Sequence, residues 1–184
     1  VESRYRLPED RFREAYEVEA IKVQFISDVP SFGWHTYTVS PVEAASAAAV
    51  SGTDVGTTLE NEFVRAEIGD DGSVTLTDKR TGRVFPGLNV FENVGDCGDE
   101  YRFRAPERQA RSTSEGLSAE VNVIERSELR GEVEIRHKWD IPARADESAC
   151  SDECVPLAIS TRVTLDAGCP YLAFHVAIDN EAED

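Results

Sequence analysis

Residues 59–103 read LENEFVRAEIGDDGSVTLTDKRTGRVFPGLNVFENVGDCGDEYRF, and this stretch decides the fold. Residues 63–68 and 74–77 alternate apolar with polar side chains, which is typical of strands with one buried face. Between them, Asp71 and Gly72 supply the left-handed backbone positions of a tight hairpin turn. The stretch therefore begins as a hairpin of two antiparallel strands.

The second half of the stretch turns from strands into a loop. A turn at 80–82 leads to a third strand at 83–85, and Pro86-Gly87 is predicted to end that strand. From Glu92 onward, glycines and carboxylates run into an aromatic pair, which indicates a loop. Loops on a rigid sheet are where functional residues concentrate.

The rest of the chain repeats this pattern of short alternating strands. No segment shows the periodicity of an amphipathic helix, and residues 106–115 are interpreted as a solvated loop. We therefore predict an all-β fold, an antiparallel β-sandwich. The additional strands are predicted at 18–26, 33–39, 117–123, 133–141, 159–165 and 172–178.

Composition divides the chain into four predicted segments. Residues 1–16 are a charged boundary segment, with a possible helical turn from Pro8, and residues 17–41 hold the N-terminal strands. Residues 42–57 are a linker rich in alanine, serine and glycine. Residues 58–184 are the β-sandwich segment.

Composition also excludes several classes of protein. The chain has 184 residues, of which 40% are hydrophobic, enough for the core of one domain. Because no apolar run approaches the ~20 residues of a membrane span, we expect no membrane insertion. A signal peptide is not recognisable, so we expect a cytoplasmic protein. The start at Val1 fits a piece of a longer chain.

The net charge of −17 excludes nucleic acid as an expected partner, since a polyanion would be repelled. The basic residues are three lysines and sixteen arginines. A carboxylate-rich, lysine-poor surface suits high salt, where self-repulsion is screened. A GC-rich genome would produce the same arginine bias, so adaptation to salt remains one of two interpretations.

The cysteines and histidines do not form a recognisable disulfide, metal or catalytic pattern. Four cysteines are too few for a disulfide scaffold, and the three-residue gap between Cys150 and Cys154 fits structural zinc sites poorly. We expect ordinary thiols, with a Cys150–Cys154 or Cys154–Cys169 disulfide as the alternative. His137 shares a strand face with apolar residues, which favours a hydrogen-bonded histidine within a sheet. We therefore predict no metal site and no catalytic residue in this chain.

The candidate site is the loop at 95–103. Asp96 and Asp99 could share acid and base work on a sugar, bind calcium, hydrogen-bond sugar hydroxyls, or stabilise turns through nearby backbone N–H groups. Tyr101 lies two residues before Phe103, so both side chains project from one side of an extended segment. An exposed tyrosine can stack on a sugar ring, although core packing is equally open to it.

Five motifs, in order along the chain, resemble those of family 38 glycoside hydrolases, the α-mannosidases. Together they extend over about residues 25–184. They are PSFGWHTY (30–37), LENEFVR (59–65), DGSVTLTDKRTG (71–82), GDCGDEY (95–101) and VAIDNEA (176–182).

The resemblance implies a sandwich of the galactose-mutarotase-like (supersandwich) type, incomplete in this chain. It implies a retaining α-mannosidase in which an N-terminal α/β barrel and a helical domain, both missing here, precede this region. Zinc, the nucleophile and the acid/base would belong to that barrel. The loop would line one side of the sugar site, with Tyr101 contacting an α-mannoside and Asp96 and Asp99 shaping the loop or touching the substrate.

Two alternatives stand beside this hypothesis. The chain could be a carbohydrate-binding module in its own right, with Tyr101, Phe103 and Trp34 as its platform. An epimerase or lyase on the same fold would need a histidine meeting Asp96 or Glu100.

Overall fold

The computed structural model describes residues 3–4, 17–18, 25–27, 29–38, 57–108 and 111–182. The chain divides into two compact units, Val1–Val42 and Glu43–Asp184. The described residues contain no helix, and therefore none long and apolar enough to cross a membrane.

In the first unit, β1 (Ser3–Arg4) pairs antiparallel with β2 (Glu17–Val18). Strands were predicted over 18–26 and 33–39, but residues 25–27 and 33–38 have no strand conformation, so the predictions are wrong there. Strand propensity produces a strand only where a partner supplies hydrogen bonds. The aromatic residues form ring contacts instead, with 4.8 Å between the centroids of Phe25 and Tyr37. Residues 19–24, the possible turn at 8–10 and the predicted linker up to residue 56 lie outside the described residues.

The second unit begins with a four-stranded antiparallel sheet in which each strand pairs with the next. Its turn at Gly72 has a φ of 73°, as the Asp-Gly pair predicts. The strands are β3 (Thr58–Glu60), β4 (Val64–Ile68), β5 (Val74–Asp78) and β6 (Arg83–Leu88).

The strand predicted at 83–85 was expected to end at Pro86-Gly87. That prediction is wrong, because β6 continues through Pro86 and Gly87 to Leu88. Two features explain this. Strand β6 lies at the edge of its sheet, where a proline without an N–H costs no ladder bond. The pairing also shifts register between Val74 and Leu76, which accommodates the left-handed Gly87 at φ 70°.

The second sheet has the order β12-β11-β10-β9 and is also antiparallel. Strands β10 and β11 are paired continuously from Arg130–Asp166 to Pro142–Cys154. Both exceed the predicted spans, because their outer residues do not alternate in polarity. The strands are β9 (Glu120–Arg126), β10 (Arg130–Pro142), β11 (Cys154–Asp166) and β12 (Ala173–Asn180).

A short third sheet corrects two loop predictions. Strand β7 (Glu92–Val94) pairs with β8 (Arg111–Thr113), so the candidate loop begins at Gly95 rather than at Glu92, and residues 106–115 are not entirely loop. Strands of three residues are too short to show alternation.

The two larger sheets share one apolar core, which makes the unit sandwich-like. Strands β4 and β5 contribute Val64, Ala66 and Val74, which pack with residues of β10 and β11 such as Ile135 and Val163. A smaller cluster around Trp139 and Ile159 lies beside it. The all-β prediction is confirmed: the described strands pair antiparallel, and the core residues of β4, β5, β10 and β11 lie between the two larger sheets.

Candidate functional site

The candidate loop starts where the short third sheet ends. Gly95 is buried, and a Cβ atom added there would overlap the Cys150 sulfur and approach Pro106 Cγ to 3.1 Å. A glycine is therefore required at the base of the loop, because the chain passes directly against the 143–153 connection.

Asp96 closes the loop upon itself. Its Oδ1 accepts hydrogen bonds from the backbone N–H of Arg104 at 2.9 Å and of Gly98 at 2.8 Å. The N–H of Cys97 donates to the carbonyl of Arg104 at 2.8 Å. The bonds from Arg104 and Gly98 hold the pKa of the Asp96 carboxyl below its usual range. Asp96 is therefore an ionised clamp that joins the two ends of the loop.

Asp99 shapes the tip. Its Oδ1 accepts from the N–H of Tyr101 at 3.0 Å, and its backbone exchanges two hydrogen bonds with Arg102, each 3.2 Å long. A Cβ on Gly98 would overlap the Arg102 carbonyl. The tip is thus a tight turn of defined shape, in which the Oδ1 atoms of both aspartates serve the backbone.

This turn presents Tyr101 and Phe103 to solvent. Tyr101 is 89% exposed and Phe103 is 62% exposed. Neither packs in the core, which was the alternative open to them in the sequence. An exposed ring on a rigid turn can stack on a sugar, and the phenol can exchange hydrogen bonds with hydroxyls.

The 143–153 connection contacts the candidate loop, and the sequence did not predict this contact. Arg104 Nη1 lies 2.7 Å from Glu147 Oε1, and Glu107 N–H donates to the Glu147 carbonyl at 2.9 Å. The two loops are separated by more than forty residues along the chain. Only their meeting in the fold identifies Glu147 as a partner of the site.

A small cavity of about 150 Å³ opens beside the clamp. Asp96, Arg144 and Asn180 line it with polar side chains, so it can accept a polar group next to the loop. Sequence reasoning missed Arg144 and Asn180, which lie far from the loop along the chain. Tyr101 does not line this cavity.

A larger groove of about 730 Å³ crosses the strands of the second sheet, with Arg136, Lys138 and Asp179 among its lining residues. None of the predicted site residues lines this groove. It is therefore separate from the candidate loop.

Within the second unit, neither His137 nor His175 supplies a base to the loop. His137 is 1% exposed, and its Nε2 lies 2.8 Å from the carbonyl oxygen of Asp71. This agrees with the prediction of a hydrogen-bonded histidine within a sheet. His175 is exposed on β12, and His35 belongs to the first unit, where its ring stacks on Tyr37 at 5.1 Å.

Metal-binding groups do not converge in the described part of the chain. No three histidine, cysteine, aspartate or glutamate side chains there are grouped so as to hold an ion. All four cysteines, which lie within the described ranges, carry free thiols, so the alternative disulfides do not form.

Comparison with known proteins relates this chain to a family of glycosyl hydrolases. Residues 59–183 match the family described as "Glycosyl hydrolases family 38 C-terminal domain". Residues 1–41 match "Glycosyl hydrolases family 38 C-terminal domain 1". The matched region contains the whole candidate loop.

Individual relatives agree with this assignment. The chain is 33% identical over 200 aligned positions to a Halalkalibacterium halodurans protein named "Putative mannosylglycerate hydrolase", covering 98% of this chain and 22% of that protein. An α-mannosidase structure from Enterococcus faecalis V583 superposes with a TM-score of 0.67 at 28% identity, covering 83% of this chain and 18% of that one. A family 38 glycosyl hydrolase structure from Enterococcus faecalis gives a TM-score of 0.66 at 28% identity, covering 83% and 19%.

The chain therefore spans about a fifth of the length of these relatives. Two adjacent family matches, similar solved structures and the resemblance of the five motifs all agree. The chain belongs to glycosyl hydrolase family 38, within the family's C-terminal domains.

Proposed function

We propose that this chain is a non-catalytic wall of the sugar site in a retaining α-mannosidase, with Tyr101 in contact with the bound mannosyl unit. The observation that carries the proposal is the clamped loop, which holds an 89% exposed tyrosine on a tight turn. The names of both relatives refer to hydrolysis of a mannosyl compound. This supports an α-mannoside as the ligand.

In this proposal Asp96 and Asp99 hold the loop in its conformation and also face the substrate. Each Oδ1 is engaged by backbone N–H groups. A carboxylate offers a second oxygen, which can accept a hydrogen bond from a sugar hydroxyl. An ionised Asp96 suits accepting hydrogen bonds rather than giving protons, which is consistent with a binding role.

The catalytic groups and zinc would belong to segments outside this chain. The described residues do not fit a metal ion, since they bring no three ligand side chains together. A glycosidase needs two carboxyl groups flanking the scissile bond. In this proposal the missing barrel supplies those groups, and the loop closes the opposite side of the substrate.

One surface of the second sheet suits contact with those missing segments. Phe174, Val176 and Ile178 of β12 are 40%, 41% and 56% exposed, although they share a face with buried residues of β11. Among the described strands, β12 pairs only with β11, so its other edge has no partner. Exposed apolar side chains beside an open edge favour a further protein segment at this position.

The test compares tyrosine variants in the full-length enzyme. We expect Tyr101→Ala to raise KM or lower kcat for an α-mannoside by roughly tenfold, which corresponds to the loss of about 1.4 kcal/mol of interaction. Tyr171→Ala removes a 61% exposed tyrosine from the turn before β12 and should leave both constants unchanged. Equal kinetics for the Tyr101 variant and the wild type would contradict the proposed contact.

A second comparison tests the absence of catalysis. Asp96→Asn and Asp99→Asn should cost far less than the 10²–10⁴-fold typical of a lost general acid or base. The 184-residue chain alone should not hydrolyse an aryl α-mannoside. Turnover by the chain alone that disappears in either variant would overturn the proposal.

A stand-alone carbohydrate-binding module is the second candidate, favoured by the joint exposure of Tyr101 and Phe103. Calorimetry of the isolated chain with mannose or mannobiose separates the two. Millimolar or tighter binding that is lost in Tyr101→Ala would favour the module.

A further inference from the structure

Two polar atoms inside the sandwich lack partners among the described residues: Nδ1 of His137 and Oγ1 of Thr161. The two residues are 1% and 0% exposed. A buried polar group without a hydrogen bond is costly, and native proteins resolve most such cases with an internal water.

The hydrogen bond of the other ring nitrogen, Nε2, determines whether Nδ1 of His137 donates or accepts. Nε2 lies 2.8 Å from the carbonyl oxygen of Asp71. Because a carbonyl can only accept, Nε2 carries the hydrogen. In the neutral ring Nδ1 is then an acceptor, and it requires a donor.

Strand register places Thr161 next to this acceptor. His137 is paired with Ile159, and Thr161 is paired with Ile135. His137 and Thr161 are therefore diagonal neighbours with side chains on the same face, with Cα atoms about 7–8 Å apart. No direct hydrogen bond joins their side chains. A water molecule can bridge two polar groups that do not reach each other directly.

We propose that one ordered water binds between His137 and Thr161, donating to Nδ1 and hydrogen-bonding to the threonine hydroxyl. The hydroxyl can donate or accept, so it adapts to either orientation of the water. Both ends of the site are polar, which is one of the conditions under which an internal position holds water rather than staying dry.

This water would complete a polar network that leads to the base of the candidate loop. From His137 the network continues through Asp71, whose Oδ2 accepts from Gly116 N–H at 3.2 Å. Two residues before Gly116, the buried Ser114 accepts from the N–H of Phe91 at 2.9 Å, and its own N–H donates to the Phe91 carbonyl at 2.9 Å. Phe91 immediately precedes β7, which ends at the loop.

Two reciprocal substitutions test the site by the sign of their effect. Thr161→Val removes the hydroxyl while keeping the shape. If the water is bound, its loss strands Nδ1, and we expect the melting temperature to fall by about 2–4 °C. If the hydroxyl is simply unpaired, the same variant should melt at a higher temperature, and that result would overturn the proposal.

Val163→Thr is the matched control, because it measures the cost of burying an unpaired hydroxyl on the same strand. Val163 is 0% exposed at the next inward position of β11 and packs in the apolar core. A hydroxyl added there has no polar neighbour identified in the fold, so the drop in melting temperature measures the cost of an unpaired hydroxyl. The proposal requires Thr161→Val and Val163→Thr to change the melting temperature in the same direction.

A high-resolution crystal structure gives a direct readout. We expect a peak of density within about 2.7–3.2 Å of both His137 Nδ1 and Thr161 Oγ1, and its loss in Thr161→Val. Empty density between the two atoms in the wild type would refute the water site even if the melting data agreed.

Discussion

Asn61 Nδ2 lies 3.0 Å from the carbonyl oxygen of Asp166, 105 residues later in the chain. The same amide donates to the Cys169 carbonyl at 2.8 Å. Its Oδ1 accepts from the N–H groups of Phe63 and Val64 at 2.9 and 3.0 Å. One side chain thus joins the entrance of the first sheet to the turn between β11 and β12, which explains the asparagine of the LENEFVR motif in structural terms.

We predict that Asn61→Ala destabilises the second unit by about 2–3 kcal/mol, since several hydrogen bonds are lost at about 1 kcal/mol each. Asn61→Asp should also destabilise, because a carboxylate retains the two acceptor bonds and repels the two carbonyls. Urea unfolding measures both effects. The adjacent exposed Glu62→Ala is the control, and an equal loss in that variant would contradict the role of Asn61.

The hairpin turn at Gly72 predicts a second difference. Gly72 and Gly82 have nearly the same φ, 73° and 70°, so alanine is equally strained at both. A Cβ at Gly72 would lie 2.6 Å from Ile135 Cγ2 and 2.7 Å from the His137 ring, whereas a Cβ at Gly82 meets nothing within 4 Å.

We therefore expect Gly72→Ala to lose about 1–3 kcal/mol more stability than Gly82→Ala, which is the usual cost of overpacking. Thermal or urea unfolding of the two variants measures the difference. Equal losses would show that the first sheet does not press on the second at this turn.

Asp71 gives a prediction that depends on pH. Hydrogen bonds from Ser73, first through its hydroxyl and then through its N–H, and from Gly116 N–H hold the pKa of the Asp71 carboxyl below its usual value. A lowered pKa in the folded state stabilises the protein above the unfolded pKa, and this contribution is lost as the pH falls through the folded value.

The Asp71→Asn variant should accordingly be less stable than the wild type by about 1 kcal/mol at pH 7. The difference should shrink below about pH 4, near the ordinary pKa of an aspartate. Unfolding curves measured between pH 3 and 7 would show this, with the exposed neighbour Asp70→Asn as the control for charge. A difference that grows on acidification would contradict the assignment.

The acidic composition predicts a response to salt. With a net charge of −17, self-repulsion should weaken as the Debye length falls from about 10 Å at 0.1 M to about 3 Å at 1 M. We expect the melting temperature to rise over this range of KCl concentration. The rise should be smaller near pH 4.5, close to the isoelectric point. A flat titration at pH 7 would favour the genomic explanation of the arginine bias.

Local patterns predicted most of the longer strands of the second unit. The alternation at 63–68 and 74–77 corresponds to β4 and β5, and Asp71-Gly72 forms the predicted turn. Prediction failed where pairing, not pattern, determines structure. Residues 33–38 have a strand-like composition but no strand conformation, and the three-residue strands β7 and β8 have too few positions to show alternation.

The candidate loop divides in the same way. Turn stabilisation was one of the roles that the sequence left open for Asp96 and Asp99, because aspartates commonly bond to backbone N–H groups two residues on, as they do here with Gly98 and Tyr101. Glu147, Arg144 and Asn180 could not be predicted, because each reaches the loop from a distant part of the chain.

By itself, the sequence determined the all-β class, the main hairpins and the family resemblance, since each depends on residues close together along the chain. The tertiary structure alone decided which distant groups meet: Asn61 with Asp166, Asp71 with His137, and Arg104 with Glu147. It also decided that Tyr101 is exposed rather than packed in the core. The physical reason is that burial and long-range hydrogen bonds depend on how the sheets pack, which no short stretch of sequence specifies.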